Sequence, residues 1–221
     1  GAQFSGTVNV SDTNSGTITL TDTTDGTNIL FSSAVTADNF VTAAQGYNIF
    51  FNGDATFANA VTFQNTGTLN LGGAGNTLTF NGGVTESTSG TVTINGAIVS
   101  SDDAISFGAI TLNQDLSMTS AGGAITIGAI TSSSARDVTI TSSGGSTNTV
   151  TLSTLSGGNM NTIAVTGSTS VTLNGNITTD ESSGNSLTIT GTTINTGAIT
   201  IDTDNSNDGA INLVGSVAGS N

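Results

Sequence analysis

The sequence predicts an all-β fold, a single-stranded parallel β-helix (β-solenoid) in which one chain coils into stacked turns of short strands. Three observations indicate this. A three-residue apolar, polar, apolar unit recurs along the whole chain, Asn-Gly or Gly-Gly follows many of these units, and no long segment has the 3.6-residue period of a helix.

Each three-residue unit is predicted to be a short strand. Alternation with period two places its two apolar residues on one face and its middle Thr or Asn on the other. We therefore expect Val92 and Ile94 to be buried and Thr93 to face outward. The units are Val8–Val10, Ile18–Leu20, Val61–Phe63, Leu69–Leu71, Leu78–Phe80, Val92–Ile94, Ile105–Phe107, Ile110–Leu112, Ile125–Ile127, Val138–Ile140, Val150–Leu152, Val171–Leu173, Leu187–Ile189, Ile199–Ile201 and Ile211–Leu213.

A corner follows several strands. In Val92-Thr93-Ile94-Asn95-Gly96-Ala97-Ile98, the Asn-Gly pair tolerates positive φ and predicts a bend. Asn-Gly is also a strong hairpin signal, which raises an antiparallel sandwich or barrel as an alternative. A hairpin partner should be another alternating strand of several residues, whereas only one small and one aliphatic residue follow here. The pattern favours strand, corner, short strand and then a loop to the next turn.

Composition indicates one repetitive domain. Thr, Ser, Asn and Gly make up more than half of the 221 residues, and no change of composition marks a linker. We expect a single continuous β-solenoid over residues 1–221, with wider Phe-containing coils over 1–107 and slim aliphatic coils over 108–221. With turns of roughly 20 residues, the chain would build about ten or eleven levels.

The aromatic residues lie mostly near the N-terminus. Eight of the nine Phe and the single Tyr occur between Phe4 and Phe80, and Phe107 is the remaining Phe. We interpret this group as core filling in the wider coils. The functional alternative is that exposed aromatics such as Phe50 or Tyr47 stack on sugar rings, and the alternation places Phe50 opposite Ile49 and Phe51.

Charge excludes several classes of function. The chain has a net charge of −14 and one basic residue, Arg136. Because phosphate binding needs clustered Lys and Arg, we expect no nucleic acid partner and no anionic membrane partner. No run is apolar enough for membrane insertion and no signal peptide is recognised, so Gly1 is expected to be a mature or artificial start. Without Cys there is no disulfide or thiolate–metal framework, which is compatible with bacterial export.

The strand–corner units resemble the repeat regions of large bacterial surface proteins. These are filamentous-haemagglutinin-like exoproteins and autotransporter passenger domains, and the resemblance covers essentially the whole chain. It implies a right-handed parallel β-helix at the extracellular or bacterial cell surface, with a stalk or adhesive role. The chain lacks the secretion domain and membrane barrel of complete members, so we expect either a fragment or a subunit that assembles with copies of itself.

Catalysis is not expected, because the usual catalytic side chains are missing. Without His, Cys or Lys there is no catalytic triad, thiolate nucleophile or Schiff-base lysine. Paired carboxylates remain, and we interpret the adjacent acidic pair Asp102-Asp103 as a solvated loop. We expect no cofactor.

Calcium is the one metal with a candidate site, since it needs only clustered oxygen ligands. Asp202, Asp204 and Asp208 are the candidate ligands: Asp204, Ser206, Asp208 and Gly209 match the opening of a calcium loop, but Gly215 replaces its closing Glu. The segment from Gly72 to Leu78 resembles a calcium-binding nonapeptide, with Thr in place of its essential Asp. The alternative is that both segments are Asx-rich turns.

Threonine pairs such as Thr77–Thr79 and Thr149–Thr151 resemble the flat ladders of ice-binding solenoids. The register is expected to be too irregular for an ice lattice, because Asn9, Asn70, Ser106 and Ala164 interrupt the column. Thr also favours exposed strand positions in general.

The sequence thus favours a non-catalytic structural β-solenoid that forms a surface stalk or a self-assembling filament. The alternative is an adhesin module that binds a host or neighbour-cell receptor. The terminal segments Gly1–Ser5 and Gly215–Gly219 carry no Pro, Lys or amphipathic helix that would block strand pairing. We therefore expect end-to-end self-association through the terminal levels.

Overall fold

Stacked turns of short parallel strands make up the computed structural model. It describes residues 1–12, 15–21, 24–86, 89–145, 148–156, 160–180, 185–203 and 209–219. The described residues form a β-solenoid of about eight turns with no helix. The predicted fold class is confirmed.

Twenty-six strands are present in the described chain, and most have three or four residues. In chain order they are β1 (Ala2–Phe4), β2 (Val8–Asn9), β3 (Thr17–Leu20), β4 (Asn28–Phe31), β5 (Val35–Ala37), β6 (Asn39–Thr42), β7 (Asn48–Phe51), β8 (Ala55–Phe57), β9 (Val61–Phe63), β10 (Thr68–Leu71), β11 (Thr77–Phe80), β12 (Val84–Glu86), β13 (Thr91–Ile94), β14 (Ala97–Ser100), β15 (Ile105–Phe107), β16 (Ile110–Leu112), β17 (Leu116–Ser120), β18 (Ile125–Ile127), β19 (Ile130–Ser132), β20 (Arg136–Ser142), β21 (Thr149–Leu152), β22 (Met160–Leu173), β23 (Ile177–Thr178), β24 (Asn185–Thr196), β25 (Ile201–Asp202) and β26 (Ala210–Gly219).

The strands form three faces, because each turn up to β21 contributes three consecutive strands and every third strand pairs in parallel. From β22 onward, one long strand covers the second and third faces. The first face contains β1, β4, β7, β10, β13, β16 and β19, and bridges through Leu155 continue it to β23 and β25. The second face begins with β2, β5 and β8, and the third with β3, β6 and β9. An antiparallel sandwich is therefore excluded.

Turn length varies, while the register of the core stays constant. Along the first face, the shortest step between successive partners joins Val92 to Ile110, and the longest joins Ala2 to Ile29. Along the first face, the strand pairing in the described residues passes through ten levels, counting the two terminal ones. About eight of these levels are turns that have a neighbouring level on both sides. Loops absorb the differences in length.

Alternation decides which side chains are buried, as the sequence predicted. Val92, Ile94, Val171 and Leu173 are each at most 3% exposed. Thr93 faces outward but is half-buried, because the outer side chains of the turns above and below cover its flanks. The buried residues form one continuous apolar cluster from Leu20 to Ile194.

The Asn-Gly corners bend as predicted, but mostly without positive φ. Among the described glycines, Gly83 has a positive φ of 85°, whereas Gly96 does not have a positive φ. A Cβ on Gly96 would lie 2.7 Å from the carbonyl oxygen of Asn76 in the preceding turn. The predicted bend at Asn95-Gly96 thus forms without positive φ, and glycine is needed there because two turns approach closely.

Aromatic rings fill the early turns. Phe31 stacks between Phe4 and Phe51, with ring centroids 4.9 and 5.0 Å apart and planes within 8° of parallel. Phe57 stacks on Phe80 at 5.5 Å. Phe107 is the last buried Phe, and Ile, Leu, Val and Met fill the described core of the later turns.

Buried serines line the corner between the second and third faces in the middle turns. Ser100, Ser120 and Ser142 are register partners, and their hydroxyl groups donate to backbone carbonyl oxygens. In the next level Gly167 takes this position, and β22 runs across both faces as one strand. Strands β24 and β26 do the same.

Candidate functional site

The predicted calcium ligands lie only partly within the described residues. Asp202 is exposed on β25, and its carbonyl oxygen accepts a hydrogen bond from the Thr179 amide at 2.9 Å. Asp204 and Asp208 lie outside the described residues. The described chain contains no group of three or more His, Cys, Asp or Glu side chains arranged to hold a metal ion. The calcium site therefore stays a prediction.

Several carboxylates join neighbouring turns. Asp54 Oδ1 accepts from the Thr77 amide at 3.0 Å, and Asp115 Oδ1 accepts from the Asp137 amide at 3.1 Å. Asp137 Oδ1 in turn accepts from the Thr162 amide at 3.2 Å and its hydroxyl at 2.8 Å. These acids accept hydrogen bonds from backbone donors at or near the starts of β11, β20 and β22, which is a structural use.

The adjacent acids also lie in a structural loop. Asp102 and Asp103 are exposed between β14 and β15, and Asp102 Oδ1 accepts from the Ser101 hydroxyl at 3.0 Å. The carbonyl oxygen of Asp103 accepts from the buried hydroxyls of Ser100 and Ser120. The pair thus organises a corner through its backbone, and its carboxylates point into solvent.

An open groove of about 300 Å³ lies where the first and second faces meet, and residues from three successive turns line it. The Gly72–Leu78 segment supplies one wall. There Asn76 closes a tight turn, because its Oδ1 accepts from the Gly73 amide at 2.9 Å and its amide nitrogen donates to Asp54. The side chains of Asn95, Gln114, Asp115 and Ser117 supply most of the remaining polar groups. Such a lining suits a small hydroxylated ligand.

The two aromatics considered for sugar stacking differ in exposure. Tyr47 is fully buried, and its hydroxyl donates to the Leu20 carbonyl at 3.1 Å and accepts from the Ala43 amide at 2.8 Å. Stacking by Tyr47 is therefore wrong, because the ring belongs to the core. Phe50 faces outward and is half-buried between its register partners Leu30 and Asn70.

Threonines form the longest outward column on the second face. Between Thr36 and Thr190 one register runs unbroken through eight levels, and Val99 is its single non-threonine member. The column is Thr36, Thr56, Thr79, Val99, Thr119, Thr141, Thr166 and Thr190. Of the predicted interruptions, Asn70 lies on the first face and Ser106 on the third, Asn9 lies one level before Thr36, and Ala164 lies in the neighbouring column.

Both ends of the described rod expose apolar side chains. Phe4 is 39% exposed at one end, where it is the first ring of the Phe31 and Phe51 stack. Strand β26 at the other end exposes Ile211, Val214 and Val217 at 46%, 47% and 55%. Val217 pairs with the inward Ile194, whereas Val214 pairs with the outward Thr190.

These features define the class: the chain is a parallel β-solenoid repeat protein. No family model, curated protein or solved structure matches it. None of its described segments forms a helix with the length and apolar character that a membrane crossing requires.

Proposed function

We propose that the chain is a non-catalytic structural β-solenoid of the bacterial cell surface, which acts as a stalk or assembles end to end into a filament. The observation that carries this proposal is the continuous parallel strand pairing through ten described levels around one apolar core. At about 4.8 Å per level, this makes a rod about 50 Å long. The resemblance to filamentous-haemagglutinin-like and autotransporter repeats supports the same role.

The distribution of polar groups supports a mechanical role. Pulling a solenoid along its axis loads the hydrogen bonds between turns, and here carboxylates and asparagines add to the backbone ladder. Asn48 Nδ2 donates to Asn28 Oδ1 at 2.8 Å, and Asn95 Nδ2 donates to Asn70 Oδ1 at 2.6 Å. Each such contact joins one turn to the next.

The exposed apolar side chains at both ends of the described rod support end-to-end assembly. Contact of β26 with the first level of a second copy would cover Val217 at one end and Phe4 at the other. The two surfaces differ, so the contact is head to tail and repeats without closing, which gives a filament. A comparable junction already exists inside the chain, because the separate strands β20 and β21 pair with the single long strand β22.

Electron microscopy of the purified chain tests this proposal. Filaments, or discrete rods about 50 Å long, are the expected result. Amorphous particles would contradict both forms of the proposal, and sedimentation velocity at rising concentration distinguishes a filament-forming subunit from a monomeric stalk segment.

The second candidate function is that of an adhesin module, and the groove at Asn95, Gln114 and Asp115 is the observation that favours it. The Gln114 amide and the Asp115 carboxylate offer donors and acceptors suited to hydroxyls of a glycan, whereas the Asn95 amide already donates to Asn70. Glycan-array binding that disappears in Asp115→Ala and persists in Asp102→Ala would support this function. Equal binding by both variants would contradict glycan binding in the groove.

A further inference from the structure

We propose that the second face of the solenoid binds the surface of ice through its threonine column, which we call the threonine face. The face comprises the column from Thr36 to Thr190 together with the adjoining column of Thr77, Ala97, Ser117, Thr139, Ala164 and Thr188. This inference concerns the side of the rod, whereas the proposed stalk or filament depends on its axis and ends.

The spacing of the two columns is set by backbone geometry. Neighbouring levels lie about 4.8 Å apart, and alternate residues of one strand lie about 6.8 Å apart. These two repeats are close to those of the oxygen rows on the prism surfaces of hexagonal ice. The register shifts in β22 and β24 fall outside both columns, so the array stays regular where the strands become long.

The hydroxyl groups of this face are available to a ligand. Among the described residues, no hydrogen bond joins the hydroxyls of Thr119, Thr141 and Thr166 to another group of the chain. On the first face, by contrast, the hydroxyls of Thr111 and Thr131 lie 3.4 Å apart and Thr131 donates to the Ile110 carbonyl. These three threonines are half-buried, and unbonded hydroxyls beside methyl groups on such a surface can join an ordered water lattice.

The face also lacks charge. From Thr77 to Thr190 neither column contains an acidic or basic side chain, although the whole chain carries −14. Asp54 and Asp115 lie in the corner at its margin, and Arg136 and Asp137 lie beside the two columns at the start of β20; the three acids accept bonds from neighbouring turns. A charge-free strip suits ice, because strongly hydrated ions would have to lose water on contact.

The other two faces do not offer the same array. The first-face column contains Leu30, Phe50 and Asn70. The third-face column is also rich in Thr, but Val41 and Ser106 interrupt it. Its strands β9, β15 and β18 have three residues each and therefore show a single outward side chain. In the described chain, the second face has the longest threonine column and a second outward column beside it; on the third face, a second outward column is missing at these three-residue strands and is present from β21, where Thr149 pairs with Ser170.

Ice itself is the probe for the test. Fluorescently labelled chain is frozen slowly around a single ice crystal, and inhibition of ice recrystallisation is measured in parallel. We expect the wild type to enter the ice and Thr141→Tyr, in the middle of the column between Thr119 and Thr166, to lose both activities. Thr151→Tyr is the matched control, since Thr151 lies on the third face, in the outward column between Thr126 and Thr172, and should keep both activities.

Circular dichroism establishes that both variants are folded. If Thr141→Tyr is unfolded, Thr141→Val replaces it, because it removes the hydroxyl at nearly constant volume; a partial loss of activity is then expected. Wild-type chain that is excluded from ice, or equal losses in the Thr141 and Thr151 variants, would overturn the inference. Neither outcome bears on the micrographs that test the rod or filament.

Discussion

Within a strand of this solenoid, successive side chains point alternately into the apolar core and toward the outer surface. Ile94 is 1% exposed beside Leu71 and Leu112 of the neighbouring turns, while Thr93 next to it faces water. The core is narrow, so an inward polar side chain finds neither solvent nor space to turn away. A charge placed inward is therefore far more costly than the same charge one residue earlier.

Replacing Ile94 with Asp should lower the free energy of unfolding by several kcal/mol, as expected for an unpaired buried charge. The matched variant Thr93→Asp carries the same charge on the outer side of the same strand and should unfold within about 1 kcal/mol of the wild type. Urea denaturation with a common m-value measures both. Wild-type stability of Ile94→Asp would contradict the inward assignment.

Which strand residues point inward could be predicted from the sequence, because burial in a strand follows directly from alternation of apolar and polar residues. The position of Tyr47 could not. Its hydroxyl is satisfied by Leu20 and Ala43, and the contact with Leu20 spans more than one whole turn of the chain, a separation that no local pattern reveals. The close approach at Gly96 escapes prediction for the same reason, since the obstructing atom belongs to the preceding turn.

Strands and loops form the next scale, and here acids determine how one turn joins the next. Asp137 precedes the inward Val138 in β20 and accepts two hydrogen bonds from Thr162 of the following turn. A carboxylate in this position holds the start of β22. Several of the acids thus have a structural use that a count of charges could not indicate.

Asp137→Ala should destabilise the fold by about 1–3 kcal/mol, because the Thr162 amide loses its partner in a half-buried site. Asp137→Asn keeps an acceptor oxygen and should recover part of that loss. Asp102→Ala is the control, since the carboxylate of Asp102 accepts from Ser101 within its own loop. Chemical denaturation should rank the variants Asp102→Ala, Asp137→Asn, Asp137→Ala in order of increasing loss.

The loop that contains Asp202, Asp204 and Asp208 permits a direct test for calcium. We expect chelation to change the melting temperature little, because the closing carboxylate of a calcium loop is missing at Gly215. Differential scanning fluorimetry with chelator and then with excess calcium measures this. A large fall that calcium reverses would assign an ion to the loop, since a ligand of the native state stabilises by mass action.

Across the whole molecule, the sequence predicted the class of fold but not the distribution of residues among the faces. The repeat of apolar pairs specifies stacked parallel strands. The unequal lengths of the turns, however, prevent a reader of the sequence from assigning each Thr to its column. The sequence pattern treats Asn70, Ser106 and Ala164 as interruptions of one ladder, whereas the register places them on three different faces.

End-to-end association should strengthen as salt rises, because the repulsion from a net charge of −14 is screened within about 8–10 Å at physiological ionic strength. Val217→Lys should reduce assembly, since it places a charge in the inward column of the last level. Val214→Lys has similar exposure in an outward column and should assemble like the wild type. Sedimentation velocity at low and high salt measures all three.

Both variants should keep the melting temperature of the monomeric wild type, because the two valines are about half exposed. A strict monomer at high concentration and high salt would reject the filament and leave the stalk segment as the better account. Equal assembly by the two lysine variants would place the contact elsewhere on the rod.

The constant register has a consequence for how such a chain changes length over generations. Ile110 and Ile130 occupy the same column, and each follows the dipeptide Gly-Ala: Gly108-Ala109 before the first and Gly128-Ala129 before the second. Removing residues 110–129 would therefore join equivalent points of adjacent turns and leave every remaining column aligned. Recombination between similar segments of a gene removes or duplicates such units. The length of the rod can therefore change by one turn at a time while the core columns stay the same.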